Sequence, residues 1–208
     1  MSEARIDRLI AAAIHQAIGD TMPSRLDFYE SYLRPRAWRE DAVNLAPVAA
    51  VLSFLRHEPA GTYDAVMLQA AHYAARWVYH ELPWRVRTAR RITPAWLRLR
   101  HVSGMAKAQL ERTYRGTRVD VAVRRGELTV DIHGSIFCST RDVASAPYCG
   151  YYLAFFEQLL RLDGQTVVNA SIEGCRAQGG DACRLRLETA GGTAAATAPA
   201  SVRLYDRD

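Results

Sequence analysis

The stretch "RVDVAVRRGELTVDIH", residues 118–133, decides the fold. Residues 118–124 and 127–133 both alternate with a period of two, and "RGE" joins them as a turn would. In the second run Leu128, Val130 and Ile132 share one face, while Thr129, Asp131 and His133 share the other. This predicts a β-hairpin with one buried face. Downstream, "APYCGYYLAFFEQLLRLDG" switches to helical spacing, with Cys149, Tyr152, Leu153, Phe156, Leu159 and Leu160 on one stripe. Two further strands follow, "QTVVNASIEGC" and "ACRLRLE". The order strand, strand, helix, strand, strand implies an α+β fold: an antiparallel sheet backed by helices.

Upstream of the hairpin the pattern is helical. "SEARIDRLIAAAIHQAIGD" reads as an amphipathic helix with Ser2 as cap and Gly19 as stop. Its stripe of Ile6, Ile10, Ala13, Ile14, Ala17 and Ile18 would suit a second subunit as well as the chain's own core. Residues 20–46 read as irregular, and a short helix is expected after Pro47. Thr62 opens a long helix that Pro83 ends, and Thr93-Pro94 opens another running to about residue 114. The expected organisation is an N-terminal helical segment (1–61), an α+β domain (62–188) and a disordered tail (189–208) rich in Ala, Gly and Thr.

At 208 residues and 49% hydrophobic the chain can build a core without staples. Residues 1–20 carry charges throughout, and no window approaches 18 uncharged apolar residues. A soluble, cytoplasmic protein with reduced thiols is therefore expected, without a membrane span. The net charge is +5, and Lys107 is the single lysine among 27 basic residues. Arginines concentrate in "WRVRTARRITPAWLRLR" (84–100), which could meet nucleic acid, acidic lipid or an acidic partner, or simply be a solvated face. No nucleic-acid-binding motif accompanies them, so nucleic acid is the disfavoured partner.

Strand alternation places Glu173 and Cys175 on one face, and the turn "RAQGGDA" would return Cys183 beside Cys175. Cys149, at a helix start after Pro147, could add a third sulfur. Three thiolates and a carboxylate would form a closed, structural zinc site. A Cys175–Cys183 disulfide and a set of unrelated buried cysteines are the competing readings of this spacing.

Residues 147–188, "PYCGYYLAFFEQLLRLDGQTVVNASIEGCRAQGGDACRLRLE", resemble the C-terminal core of the 4-vinyl-reductase-type domain family. That family includes bacteriochlorophyll-biosynthesis accessory proteins and the sensor domains of aromatic-responsive activators, and is related in fold to TRAPP subunits. The resemblance implies a TRAPP-like fold and zinc held by Cys149, Cys175 and Cys183. The family's acidic ligand falls at Ile172 here, so Glu173 is one residue out of register.

The resemblance further implies a small hydrophobic or aromatic ligand held between helices and sheet. Trp77, Trp96, Tyr152 and Phe156 are the candidate lining, and His101 stands at about the position of a sensor's ligand-binding histidine. No counterpart of the sensors' tryptophan partner is present, which counts against phenol-type sensing. Asp131, His133 and Cys138 form the sole candidate base-and-nucleophile group, and no oxyanion-hole, P-loop, GxGxxG or HExxH motif supports catalysis. The expected function is a zinc-stabilised, homodimeric sensor, carrier or accessory domain for a small apolar ligand, acting alone or through a protein partner. A tetrapyrrole-biosynthesis accessory or vinyl reductase, and a ligand-free scaffold, are the alternatives.

Overall fold

The computed structural model describes residues 4–35, 38, 42–140 and 142–190. Its main sheet has four antiparallel strands in the order β3-β4-β6-β5, formed by β3 (Arg118–Arg124), β4 (Glu127–His133), β5 (Val167–Gly174) and β6 (Cys183–Thr189). β4 lies in register between β3 and β6, with Val130 opposite both Val121 and Leu185. Leu128, Val130, Ile132, Cys183, Leu185 and Leu187 form the buried face. The opposite face is a lattice of ion pairs. Arg184 meets Asp131 at 2.7 Å, and Arg186 meets Glu127 and Glu188, each at 3.2 Å.

Four helices stack outward from the apolar face. α7 (Gly150–Leu162) packs on β5, and α6 (Ala95–Thr113) packs on β3 and α7. α4 (Thr62–Glu81) covers α7, and α1 (Arg8–Thr21) covers α4. The Ala-rich inner line of α4, Ala70, Ala71, Ala74 and Ala75, is fully buried and lets its neighbours approach closely. One continuous cluster of buried residues runs from Ile6 to Leu187, so the N-terminal segment shares the core of the sheet domain.

The N-terminal region corrects several expectations. The first helix begins at Arg8, after a short strand β1 (Arg5–Asp7) that pairs with β2 (Ala42–Asn44). Asp7 caps it, its Oδ1 accepting from Leu9 N at 2.8 Å, while Ser2 lies outside the described residues. The helix passes Gly19 and ends at Thr21. Its apolar stripe is spent inside the chain, with Ile6, Ile10, Ala13, Ile14, Ala17 and Ile18 all buried. The region expected to be irregular contains α2 (Leu26–Leu33), and α3 (Leu45–Leu55) starts two residues before Pro47, capped by Asn44. Thr189 closes β6 instead of starting a tail, and residues 191–208 lie outside the described residues.

Asp7 also accepts a 3.2 Å hydrogen bond from Gln109 Nε2, which ties α1 to α6. Asp7→Ala removes an N-cap and this tie, and should cost about 1–2 kcal/mol. Thermal unfolding should show a melting point lower by about 2–8 °C. Asp7→Asn, which still caps, should lose much less.

A further helix, α5 (Trp84–Ile92), lies in the arginine-rich run, where none is expected from the sequence. None of its described side chains is buried. An ion pair between Arg90 and Asp163 at 2.8 Å joins it to the end of α7, with the Asp163 side chain fully enclosed. Arg98 reinforces this corner by donating to the Asp163 carbonyl oxygen at 2.9 Å. Burial raises the Asp163 carboxyl above its ordinary value, and Arg90 only partly draws it back.

Candidate metal centre

Four cysteines converge at one end of the sheet. Cys183 is the first residue of β6, opposite Ile132 of β4. Cys175 directly follows β5, where the chain leaves the sheet for a single 3-10 turn (Arg176–Gln178). The Cys175 carbonyl oxygen accepts from Gln178 N at 3.0 Å and Gly180 N at 3.1 Å, which folds "RAQGG" tightly back. Gly179 has φ +91°, a conformation that side-chain-bearing residues rarely adopt, so this turn demands glycine. Cys149 caps α7, and Cys138 lies in the loop after β4, its backbone N–H donating to Ser135 Oγ at 3.3 Å. The loop is pinned from outside: Ala144 N donates to Ala177 O at 2.7 Å, Arg56 donates to Phe137 O at 2.7 Å, and the Tyr63 hydroxyl donates to Tyr148 O at 3.1 Å.

The four Sγ atoms all lie within 4.8 Å of one another, and all four residues are buried. Cys138 Sγ is 3.4 Å from the sulfurs of both Cys175 and Cys183. None is in a disulfide. A tetrahedral zinc with Zn–S bonds of about 2.3 Å has sulfur–sulfur edges of about 3.8 Å, so this donor set fits a metal ion of that size. The electrostatics agree. Hydrogen bonding from the Cys138 and then the Cys149 thiol draws Cys183 well below the ordinary thiol range, so one thiolate is stabilised. Cys149 is pushed far up, because its proton is held between Cys138 and Cys183 and a second buried anion would go uncompensated. Only a cation at the centre would let all four ionise together.

Cys149, Cys175 and Cys183 therefore meet as the sequence suggests, but Glu173 is not with them. β5 carries an irregularity between Ile172 and Gly174, and Glu173 projects on the outer face, 3.7 Å from Arg186. Simple alternation fails because Cys175 lies beyond the last residue of the strand. The fourth donor is Cys138, which the sequence groups with Asp131 and His133. Those two lie on the outer face instead, Asp131 bound to Arg184 and His133 3.6 Å from Asp120. That separation removes the candidate base-and-nucleophile group. The sole signal for Cys138 is its type, a cysteine shortly after a strand that ends beside the others.

The expected ligand-lining residues do not come together. Tyr152 and Phe156 are core side chains, 2% and 0% exposed. Trp77 is half-buried and stacks on Tyr73 at 5.7 Å, in a cleft with Arg8, Glu81 and Arg112. Trp96 and His101 are exposed on α6. A different cleft, of about 450 Å³, opens beside the thiols. Leu45, Ala49 and Leu52 of α3 form one wall, and Ser135, Ile136, Cys138 and Ala177 form the other. Gly134 shapes its floor: a Cβ there would lie 1.8 Å from Gly116 O.

No protein-family profile and no curated protein matches the chain. Among solved structures it is similar to an H-NOX protein from S. oneidensis in the Fe(II)NO ligation state, with a TM-score of 0.53 and 8% identity over 85% of this chain and 97% of that one. It is also similar to trafficking protein particle complex subunit 3 from Naegleria fowleri, covalently bound to palmitic acid (TM-score 0.49, 10% identity, 68% and 92% covered). A third similar structure is the phenol-responsive sensory domain of the transcription activator PoxR with phenol (TM-score 0.47, 16% identity, 72% and 78% covered). The H-NOX likeness, spanning most of both chains, shows a shared α+β fold. Among the described residues no helix is long and apolar enough to cross a membrane.

Proposed function

We propose that this chain is a zinc-stabilised domain of the 4-vinyl-reductase type that binds a small, mainly apolar molecule as a sensor, carrier or accessory protein. The observation that carries this reading is the shared wall: Cys138 belongs both to the four-thiol cluster and to the adjacent cleft. Zinc bound by Cys138, Cys149, Cys175 and Cys183 would cross-link the β4 loop, the start of α7 and the β5–β6 turn, holding the cleft open in one shape. A volume of about 450 Å³ lies within the usual range for small-molecule sites. Leu45, Leu52, Ile136 and Val143 suit an apolar body, and Ser135, Thr140 and Arg176 could orient one polar group. A homodimer would need a surface other than the α1 stripe, which the core consumes.

Native mass spectrometry of the protein purified from its own host tests this. The wild type should carry about one zinc and a non-covalently bound small molecule. Ala49→Trp, which fills the cleft from its exposed side, should keep the zinc and lose the small molecule. A wild type with zinc but an empty cleft would favour the ligand-free scaffold instead.

A further inference from the structure

The segment from Trp84 to Arg100 contains six arginines and no acidic residue. Against a net charge of +5 for the whole chain, everything outside this segment sums to one net negative charge. The same segment exposes large apolar side chains: Trp84 65%, Val86 41%, Ile92 88% and Trp96 62%. Large apolar side chains that share one exposed face are unfavourable in water and suit a contact surface.

The helical spacing sorts these residues. Trp84, Thr88 and Ile92 lie one turn apart along one line of α5. Arg90 turns inward to the enclosed Asp163 at 2.8 Å, while Arg87 meets His80 of α4 at the surface at 3.0 Å. On α6, Trp96 and Arg100 share an exposed line, while Leu99 is buried and Arg98 bonds the Asp163 carbonyl. Arg85 stacks over the Trp84 ring at 5.6 Å. Among the described residues neither Arg85 nor Arg100 has an acidic partner. α5 is thus tied back by Arg87 and Arg90 and presents indole and aliphatic groups, flanked by cations with no acidic partner, to the outside.

We infer that the α5–α6 corner docks on an anionic lipid bilayer, with Trp84, Ile92 and Trp96 entering the headgroup boundary and Arg85 and Arg100 meeting lipid phosphates. The observations favour this occupant over others. A second copy of the chain would set two strongly cationic segments against each other. Nucleic acid would use the arginines but give Ile92 nothing to bury. An interface with negative charge outside and hydrocarbon just beneath satisfies both groups at once, and tryptophan is suited to that boundary.

Vesicle flotation of the full chain tests this, using phosphatidylcholine alone or mixed with phosphatidylglycerol. The wild type should float with the anionic vesicles at low ionic strength, remain behind with pure phosphatidylcholine, and detach as salt is raised. Trp84→Ala and Ile92→Ser should each weaken binding about tenfold, and Arg85→Gln or Arg100→Gln about fivefold. All four positions are exposed, so circular dichroism should remain that of the wild type. Failure to float with anionic vesicles at low salt would overturn the inference. So would flotation indifferent to Trp84→Ala and Ile92→Ser, or duplex DNA binding that outcompetes the vesicles and survives both substitutions.

Discussion

Cys138→Ser should purify with far less than one zinc per chain, whereas Glu173→Gln should retain the wild-type content. The two substitutions separate the donor set found in space from the one suggested by sequence. Cys138 Sγ lies 3.4 Å from two of the other sulfurs, while Glu173 is engaged with Arg186 across the sheet. Replacing a thiolate by a hydroxyl removes a soft, anionic donor and leaves three. Metal affinity should fall by more than about 100-fold, the loss that even outer-shell changes approach. Because a structural metal contributes directly to folding, Cys138→Ser should also melt well below the wild type. The wild type treated with a strong chelator should melt close to the variant. Metal analysis with thermal unfolding of both variants reads this out, and zinc retained in Cys138→Ser but lost in Glu173→Gln would reverse the assignment.

Phe156→Ala should cost about 3–5 kcal/mol of stability. Phe156 is fully buried on α7, edge-on to Phe155 at 6.4 Å, and Phe155 in turn meets Tyr151 at 6.1 Å and Tyr151 meets Phe137 at 4.6 Å. Phe137 immediately precedes Cys138, so the aromatic stack also supports the loop that carries the fourth thiol. Denaturant unfolding should show the loss as a lower midpoint with an unchanged slope. If Phe156 instead lined a ligand cavity, truncation would enlarge an existing space and cost about 1 kcal/mol, with the main effect on ligand retention. The size of the stability loss therefore decides between core and cavity.

Much of this arrangement was legible wherever a local period governs structure. The alternation at 118–133 placed β3 and β4, and the proline and threonine punctuation placed α4 and α6. What escaped depends on partners distant in sequence. The apolar line of α5 faces outward and none of its described side chains is buried, so no core stripe marks it, and its anchor Asp163 lies 73 residues from Arg90. β1 and β2 are three-residue strands that exist because they pair with each other. The four-thiol cluster was three-quarters legible: turn glycines and a helix start marked Cys149, Cys175 and Cys183. Cys138 sits in a loop with no period, and the irregularity that turns Glu173 outward at the end of β5 leaves no local sign.

The thiol cluster also has a consequence for the order in which the domain comes apart. It links chain segments 37 and 45 residues apart, while Cys175 and Cys183 are joined by a single tight turn. The short β5–β6 hairpin can close early at little entropic cost, but drawing in the 138–149 loop requires the sheet and α7 to be already assembled. With metal bound, that loop cannot peel away by itself: its amide hydrogens should exchange together with those of β6, as one cooperative unit. Stripped of metal, the loop would become the domain's earliest point of opening, and the cleft beside it would lose its wall before the sheet lost a strand.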